Sequence, residues 1–133
     1  FKERWYGFDD GLYAGARLLE ILSRAPDVTQ ALEGLRDSIS TPELNLSLDR
    51  EGENHALIGR LQQTARFEGA VDVITLDGLR VEYPDGFGLM RASNTTPVVV
   101  LRFEADTAEA LMRIQEDFRR VLGKALPGYK LPF

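Results

Sequence analysis

Residues 91–97 read RASNTTP and run directly into the apolar stretch VVVLRF. One arginine, one carboxamide and three hydroxyls within seven residues form a donor set that an anion can use. A guanidinium grips phosphate with two parallel N–H bonds, and successive backbone amides of a curled segment form a nest for the remaining oxygens. Arg91, Ser93, Asn94 and Thr95 are therefore candidate phosphate ligands. From Gly86 to Phe103 the sequence contains no Asp or Glu, so this window is expected to be locally positive. The same residue types also make ordinary turns, because Asn, Ser and Thr side chains bond their own backbone two residues on. On residue types alone both readings stand.

Other candidates carry less. Arg102 lies four residues past Val98, about 13 Å along a strand, so a sheet-face or ion-pair position is expected rather than a place in the loop. Asp9 and Asp10 could act as a carboxylate pair, but directly before a helix they are expected to cap it. His55 is the single histidine, so no cluster of histidines for a metal can be assembled; it is expected near the first turn of a helix. Trp5, Tyr6 and Phe8 could stack on a sugar, yet packing against the following helix is the expected role. GxGxxG, Walker, GxSxG and HExxH patterns are absent, and no catalytic or metal-binding residues are assigned.

The elements that position the loop follow from periodicity. After the aromatic lead FKERWYGF, a helix is expected over DGLYAGARLLEILSRA, apolar on more than one face and so in need of several partners. Pro26 and Asp27 break it, VTQALEGLR reads as a second short helix, and SISTPE reads as a linker with a boundary near Ser38. Beyond it, ELNLSL alternates as a half-buried strand. A helix is expected through DREGENHALIGRLQQTARFEG, ending near Gly69. VDVITL and LRVEY flank the Asp77-Gly78 hairpin signal, Pro84-Asp85-Gly86 makes another turn, and FGLMRA and VVVLRFEA bracket residues 93–97. The last helix is expected to start at an Asp106/Glu109 capping box, to bury Leu111, Ile114, Phe118 and Val121, and to carry Glu109–Arg113 and Glu116–Arg120 pairs on its solvated side. Strand, helix, four strands, helix is an α+β order: an antiparallel sheet with helices packed on one face.

Composition bounds the rest. With 44% apolar and 28% charged residues the chain is expected to fold as an ordinary globular protein. A net charge of −5 argues against a general nucleic-acid surface or an anionic membrane, so any anion site must be local. No run is long enough to span a bilayer and no secretory signal is visible; together with the absence of cysteine this suits a cytoplasmic setting. Because the first residue is Phe rather than Met, the chain is expected to be part of a longer protein.

In order along the chain, FKERWYGFDDG, ISTPELN, TLDGLRVEYPDGFGLMRASNTTP, RASNTTPVVVLRFEADTAEALMRIQEDFR and the closing LPF resemble the C-terminal part of the bacterial phosphomannomutase/phosphoglucomutase enzymes of the α-D-phosphohexomutase superfamily. The resemblance implies a four-domain isomerase of carbohydrate metabolism, of which residues 1–38 are a helical remnant of the third, sugar-binding domain. Residues 39–133 would then be the whole C-terminal, TATA-box-binding-protein-like, phosphate-binding domain. It further implies reversible exchange between hexose 1-phosphate and hexose 6-phosphate through a bisphosphorylated intermediate. The phosphoserine of the first domain, the Mg2+-holding aspartates of the second and the sugar-reading loop of the third have no counterpart in this sequence.

Arg91, Ser93, Asn94 and Thr95, with the backbone of Ala92, match the family's loop for the phosphate that is not being transferred. Its expected partners are thus a mannose or glucose phosphate, the bisphosphate intermediate, and the remaining domains of the same enzyme. Asn94 and Thr96 resemble the phosphomannomutase/phosphoglucomutase branch rather than the SGTEP-like loop of glucosamine-phosphate mutases. By itself the chain is expected to be inactive. The alternative is a stand-alone phosphosugar-binding or interaction module without catalysis.

Overall fold

The computed structural model describes residues 1–33 and 37–133. They fall into two compact units, Phe1–Arg36 and Asp37–Phe133. In the first, α1 (Gly11–Arg24) starts where the Asp10 carboxylate accepts the Tyr13 N–H at 2.9 Å, which satisfies one of the orphan donors of the first turn. It stops at Ala25, just before Pro26. Trp5 stacks on Tyr13 with ring centroids 4.4 Å apart, the packing role expected of the aromatic lead. α2 (Val28–Glu33) follows, and the remainder of the second expected helix lies outside the described residues. No residue of α1 is buried, and Leu12 is 90% exposed.

The second unit is built on a sheet of six strands: β1 (Ile39–Ser40), β2 (Leu44–Ser47), β3 (Asp72–Ile74), β4 (Leu79–Tyr83), β5 (Gly86–Ala92) and β6 (Val98–Ala105). The order is β1-β6-β5-β4-β3, with β2 also paired to β6, and every pairing is antiparallel. Alternation divides the central strands: Val81, Met90, Val99, Leu101 and Phe103 are buried, while Arg80, Leu89, Arg91 and Arg102 fall on the opposite face, where Val100 is the one buried residue of β6. Both remaining helices, α3 (Glu53–Thr64) and α4 (Ala108–Ala125), pack on the buried face. This is the α+β arrangement expected from the periodicity.

Gly88 sets how closely α4 can approach. A Cβ at that position would stand 2.4 Å from Cε2 of Phe118, so only a residue without a side chain lets the ring lie against the sheet. Phe67, Phe103 and Phe118 then form one aromatic group, with centroid separations of 4.9 and 5.0 Å. Among the described residues, no helix is long and apolar enough to cross a membrane.

Several local expectations give way to tertiary contacts. α3 ends at Thr64 rather than near Gly69, because the chain must leave the helix to bring Phe67 and Ala70 onto the core and then reach the sheet edge. Gly69 takes φ +73° within that excursion. β3 is shorter than VDVITL and exposed throughout, leaving Val71, Val73 and Ile74 at an open edge. The cap of α4 is Thr107, whose hydroxyl accepts the Ala110 N–H; the Asp106 N–H is committed to the carbonyl of Asp85 in the preceding turn. The expected Glu109–Arg113 and Glu116–Arg120 pairs are replaced by Arg113–Asp85, Arg119–Glu116 and Arg120–Asp117.

The last of these pairs belongs to a buried polar network. Asp117, only 9% exposed, accepts the Tyr83 hydroxyl at 2.6 Å and the Arg120 guanidinium. Burial, reinforced by the Asp117 hydrogen bond, pushes the Tyr83 phenol well above its ordinary value of 10.0. A phenol whose folded-state value is raised contributes stability below its unfolded value and loses it as pH rises past that value. Tyr83→Phe is expected to lower stability by about 1–3 kcal/mol at neutral pH, since it leaves a buried carboxylate oxygen unsatisfied. It should also make the loss of stability above pH 10.0 shallower. Urea unfolding of both chains at neutral and alkaline pH measures the two effects.

Candidate functional site

The loop of interest, residues 93–97, closes the β5–β6 hairpin. The Ser93 N–H donates to the Val98 carbonyl at 2.9 Å, and the Val98 N–H turns back to the Thr96 carbonyl at 2.7 Å across Pro97. At the centre the Ser93 hydroxyl accepts the Thr95 N–H at 3.3 Å and the Thr96 hydroxyl at 3.0 Å. The turn chemistry anticipated for these residues is thus present, and it consumes part of the donor set.

What holds the loop from beneath is Asn54, in the first turn of α3 and only 1% exposed. Its Nδ2 donates to the carbonyls of Ser93, Thr96 and Val98 at 2.9, 3.1 and 3.1 Å. Two N–H groups serve three acceptors, so at least one bond is shared. The consequence for the loop follows from the planar trans peptide, since among the described residues no peptide bond is cis: a carbonyl and the following N–H point in opposite directions. With the Ser93 carbonyl drawn to Asn54, the Asn94 N–H is turned away from the buried side.

Ser93, Asn94 and Thr95 line a concavity of about 510 Å³ together with Thr96, Pro97 and the start of α3 at Glu51, Gly52, Asn54 and His55. The N-terminus of α3 brings its partial positive charge to this wall. Arg91 and Ala92 are not part of that lining. Ala92 faces the core at the end of β5, and Arg91, paired with Val100 across the strands, lies half-buried on the open sheet face beside the loop. Gly78 seats it: with φ +87°, it lies where a Cβ would come 2.3 Å from the Met90 carbonyl and 2.8 Å from the Arg91 Cα. Among the described residues, neither the Arg91 guanidinium nor the Asn94 side chain has a protein partner.

Arg102 sits opposite Leu89 on the same open face, exposed and, among the described residues, without the ion pair that was one expectation for it. Asn54 is the site residue that sequence reading left out, while His55 lies in the first turn of α3 as expected but on the wall of this concavity, which was not foreseen. Asn54 occupies the apolar stripe of Leu57, Ile58 and Leu61, and a carboxamide at a core position is itself a signal, because a buried amide must find acceptors. The fold also brings Glu51 to the rim, so the surroundings are less positive than the carboxylate-free window 86–103 implied. Among the described residues, no group of three or more His, Cys, Asp or Glu side chains could hold a metal ion.

Residues 43–121 match the family profile described as phosphoglucomutase/phosphomannomutase, C-terminal domain. The phosphoglucomutase of Neisseria meningitidis serogroup B is 64% identical over 122 residues, covering 92% of this chain and 26% of the relative. The phosphomannomutase/phosphoglucomutase of Pseudomonas aeruginosa is 52% identical across 100% of this chain and 28% of its own length. A crystal structure of a phosphoglucomutase/phosphomannomutase family protein from Burkholderia thailandensis superposes with a TM-score of 0.82 at 63% identity, again covering 100% of this chain and 28% of that one. The chain therefore spans about a quarter of the length of the relatives it matches, and it belongs to the phosphoglucomutase/phosphomannomutase family.

Proposed function

We propose that this chain is the C-terminal portion of a phosphohexomutase that interconverts hexose 1-phosphate and hexose 6-phosphate, of mannose or glucose, through a bisphosphorylated intermediate. Its own task is to hold the phosphate that is not being transferred and to help close the cleft over the substrate. The observation that carries this reading is the loop 93–97, whose carbonyls are drawn inward by buried Asn54 while the Asn94 N–H is turned outward. Arg91, Ser93, Asn94, Thr95 and the backbone of Ala92 are the proposed ligands. Arg91 would supply the bidentate charge, and the loop amides and hydroxyls the remaining bonds.

A site built to recognise phosphate suits a substrate that must present either end in turn. Binding energy from the remote phosphate can be used to orient the reacting end and to favour the closed arrangement. The Mg2+ expected from the family would be held elsewhere in the enzyme, and no step proposed for this chain runs through it. Residues 1–38 are read as the end of the preceding domain. That reading is supported by α1, which buries none of its own residues although its apolar face is broad enough to require partners.

In the complete enzyme, Arg91→Ala is expected to weaken phosphosugar binding by about 2–3 kcal/mol, the scale of a charge-assisted bidentate contact. Calorimetric titration with glucose 1-phosphate tests it, and unchanged affinity would remove Arg91 from the site. Asn54→Ala, which removes none of the proposed ligands, should cost about 1–3 kcal/mol of stability by stranding buried carbonyls and should lower phosphosugar affinity as the loop loosens. Equal affinity in a folded Asn54→Ala enzyme would show that the loop is not held ready by this residue. The purified 133-residue chain should not turn over glucose 1-phosphate; measurable turnover would refute the assignment of the chemistry to other domains.

A further inference from the structure

A second concavity lies on the helical side of the sheet and shares no lining residue with the first. It occupies about 430 Å³ between the C-terminal halves of α3 and α4 and is floored by Leu61 and Val121. Its polar lining includes four cations, Arg60, Arg66, Arg120 and Lys124, and no carboxylate. In a chain of 21 acidic and 16 basic residues, that segregation has to be explained.

Cations near helix C-termini favour the macrodipole, and part of the cluster does serve the fold. The Arg60 guanidinium donates to the Ala125 carbonyl at 3.1 Å, Arg66 to the Ala65 carbonyl at 2.8 Å, and Arg120 to the Arg66 carbonyl at 3.1 Å. These bonds use one N–H from each of three groups that carry five apiece. Neutralisation is a separate matter. Arg120 is paired with Asp117 and also feels Glu68, as Arg80, Arg113 and Arg119 are paired with carboxylates elsewhere in the domain. Arg60, Arg66 and Lys124, among the described residues, have no carboxylate partner. Three uncompensated positive charges thus line one wall-to-wall groove, two of them anchored by backbone carbonyls and so restricted in rotamer before any ligand arrives.

We propose that this groove is an anion site distinct from the loop 93–97, and that it takes a small anion carrying two linked phosphate groups. One phosphate would be met by Arg60 and Lys124 and the other by Arg66, with Arg120 held aside by Asp117. A single phosphate satisfies only part of this charge, which is why the diphosphate class is favoured.

The test is calorimetric titration of the 133-residue chain carrying Arg91→Ala with inorganic pyrophosphate, repeated after adding Arg60→Gln and Lys124→Gln. One saturable site is expected in the first protein, weakened at least tenfold in the second and weaker for orthophosphate than for pyrophosphate. Raising the salt concentration should weaken it steeply, as screening requires. Lys124→Gln alone removes no protein contact, so a several-fold loss in that variant separates charge from folding; thermal unfolding checks that each variant remains native. Absence of saturable uptake, or uptake indifferent to both substitutions, would overturn the proposal.

Discussion

The contact on which the second unit depends is the ring of Phe118 lying against the backbone of Gly88. The bare strand position determines the spacing between α4 and the sheet, and through it the volume that Phe67, Phe103 and Leu122 must fill. Protein interiors are close-packed, so a displacement of even a methyl group is felt by every neighbour. Central β6 is the other half of this constraint, since it is paired along its length with β5 on one side and with β1 and β2 on the other. Loop 93–97 joins these two best-supported strands, so its endpoints inherit their rigidity.

Much of this was legible in the residues because local and tertiary preferences agree. Alternating Leu79, Val81 and Tyr83 demanded a one-sided strand, Asp10 capped α1, and the stripe of Ile114, Phe118 and Val121 turned toward the sheet. Where the reading failed, a longer-range demand overrode a valid local rule. Gly69 has the conformation of a helix terminator, yet the helix had already been left five residues earlier to deliver Phe67. Asp106 and Glu109 have the spacing of a capping box, but the Asp106 amide was needed in a turn. Glu116 and Arg120 are correctly spaced for a helical pair, but Asp117 is buried and attracts the guanidinium more strongly. Sequence spacing describes which partners are near; burial decides which of them is indispensable.

The candidate site was legible in one layer only. Its outward-facing residues are contiguous in sequence, so their unusual donor content could be read directly. Its support comes from an asparagine 39 positions before Ser93, which no local pattern links to a hairpin. The site thus resembles a fixed frame with a variable facing: Asn54 and the strands determine where the backbone carbonyls go, and the exposed side chains are free to differ in what they offer a ligand.

The open edge at β3 carries a different consequence. A sheet edge with Val71, Val73 and Ile74 exposed is a template on which another chain can add a strand, and such edges are where native proteins begin to aggregate. Three residues of pairing, with Asp72 among them, offer little length for a second copy to grip. Brevity here limits such pairing: the outermost strand stops almost as soon as it has begun.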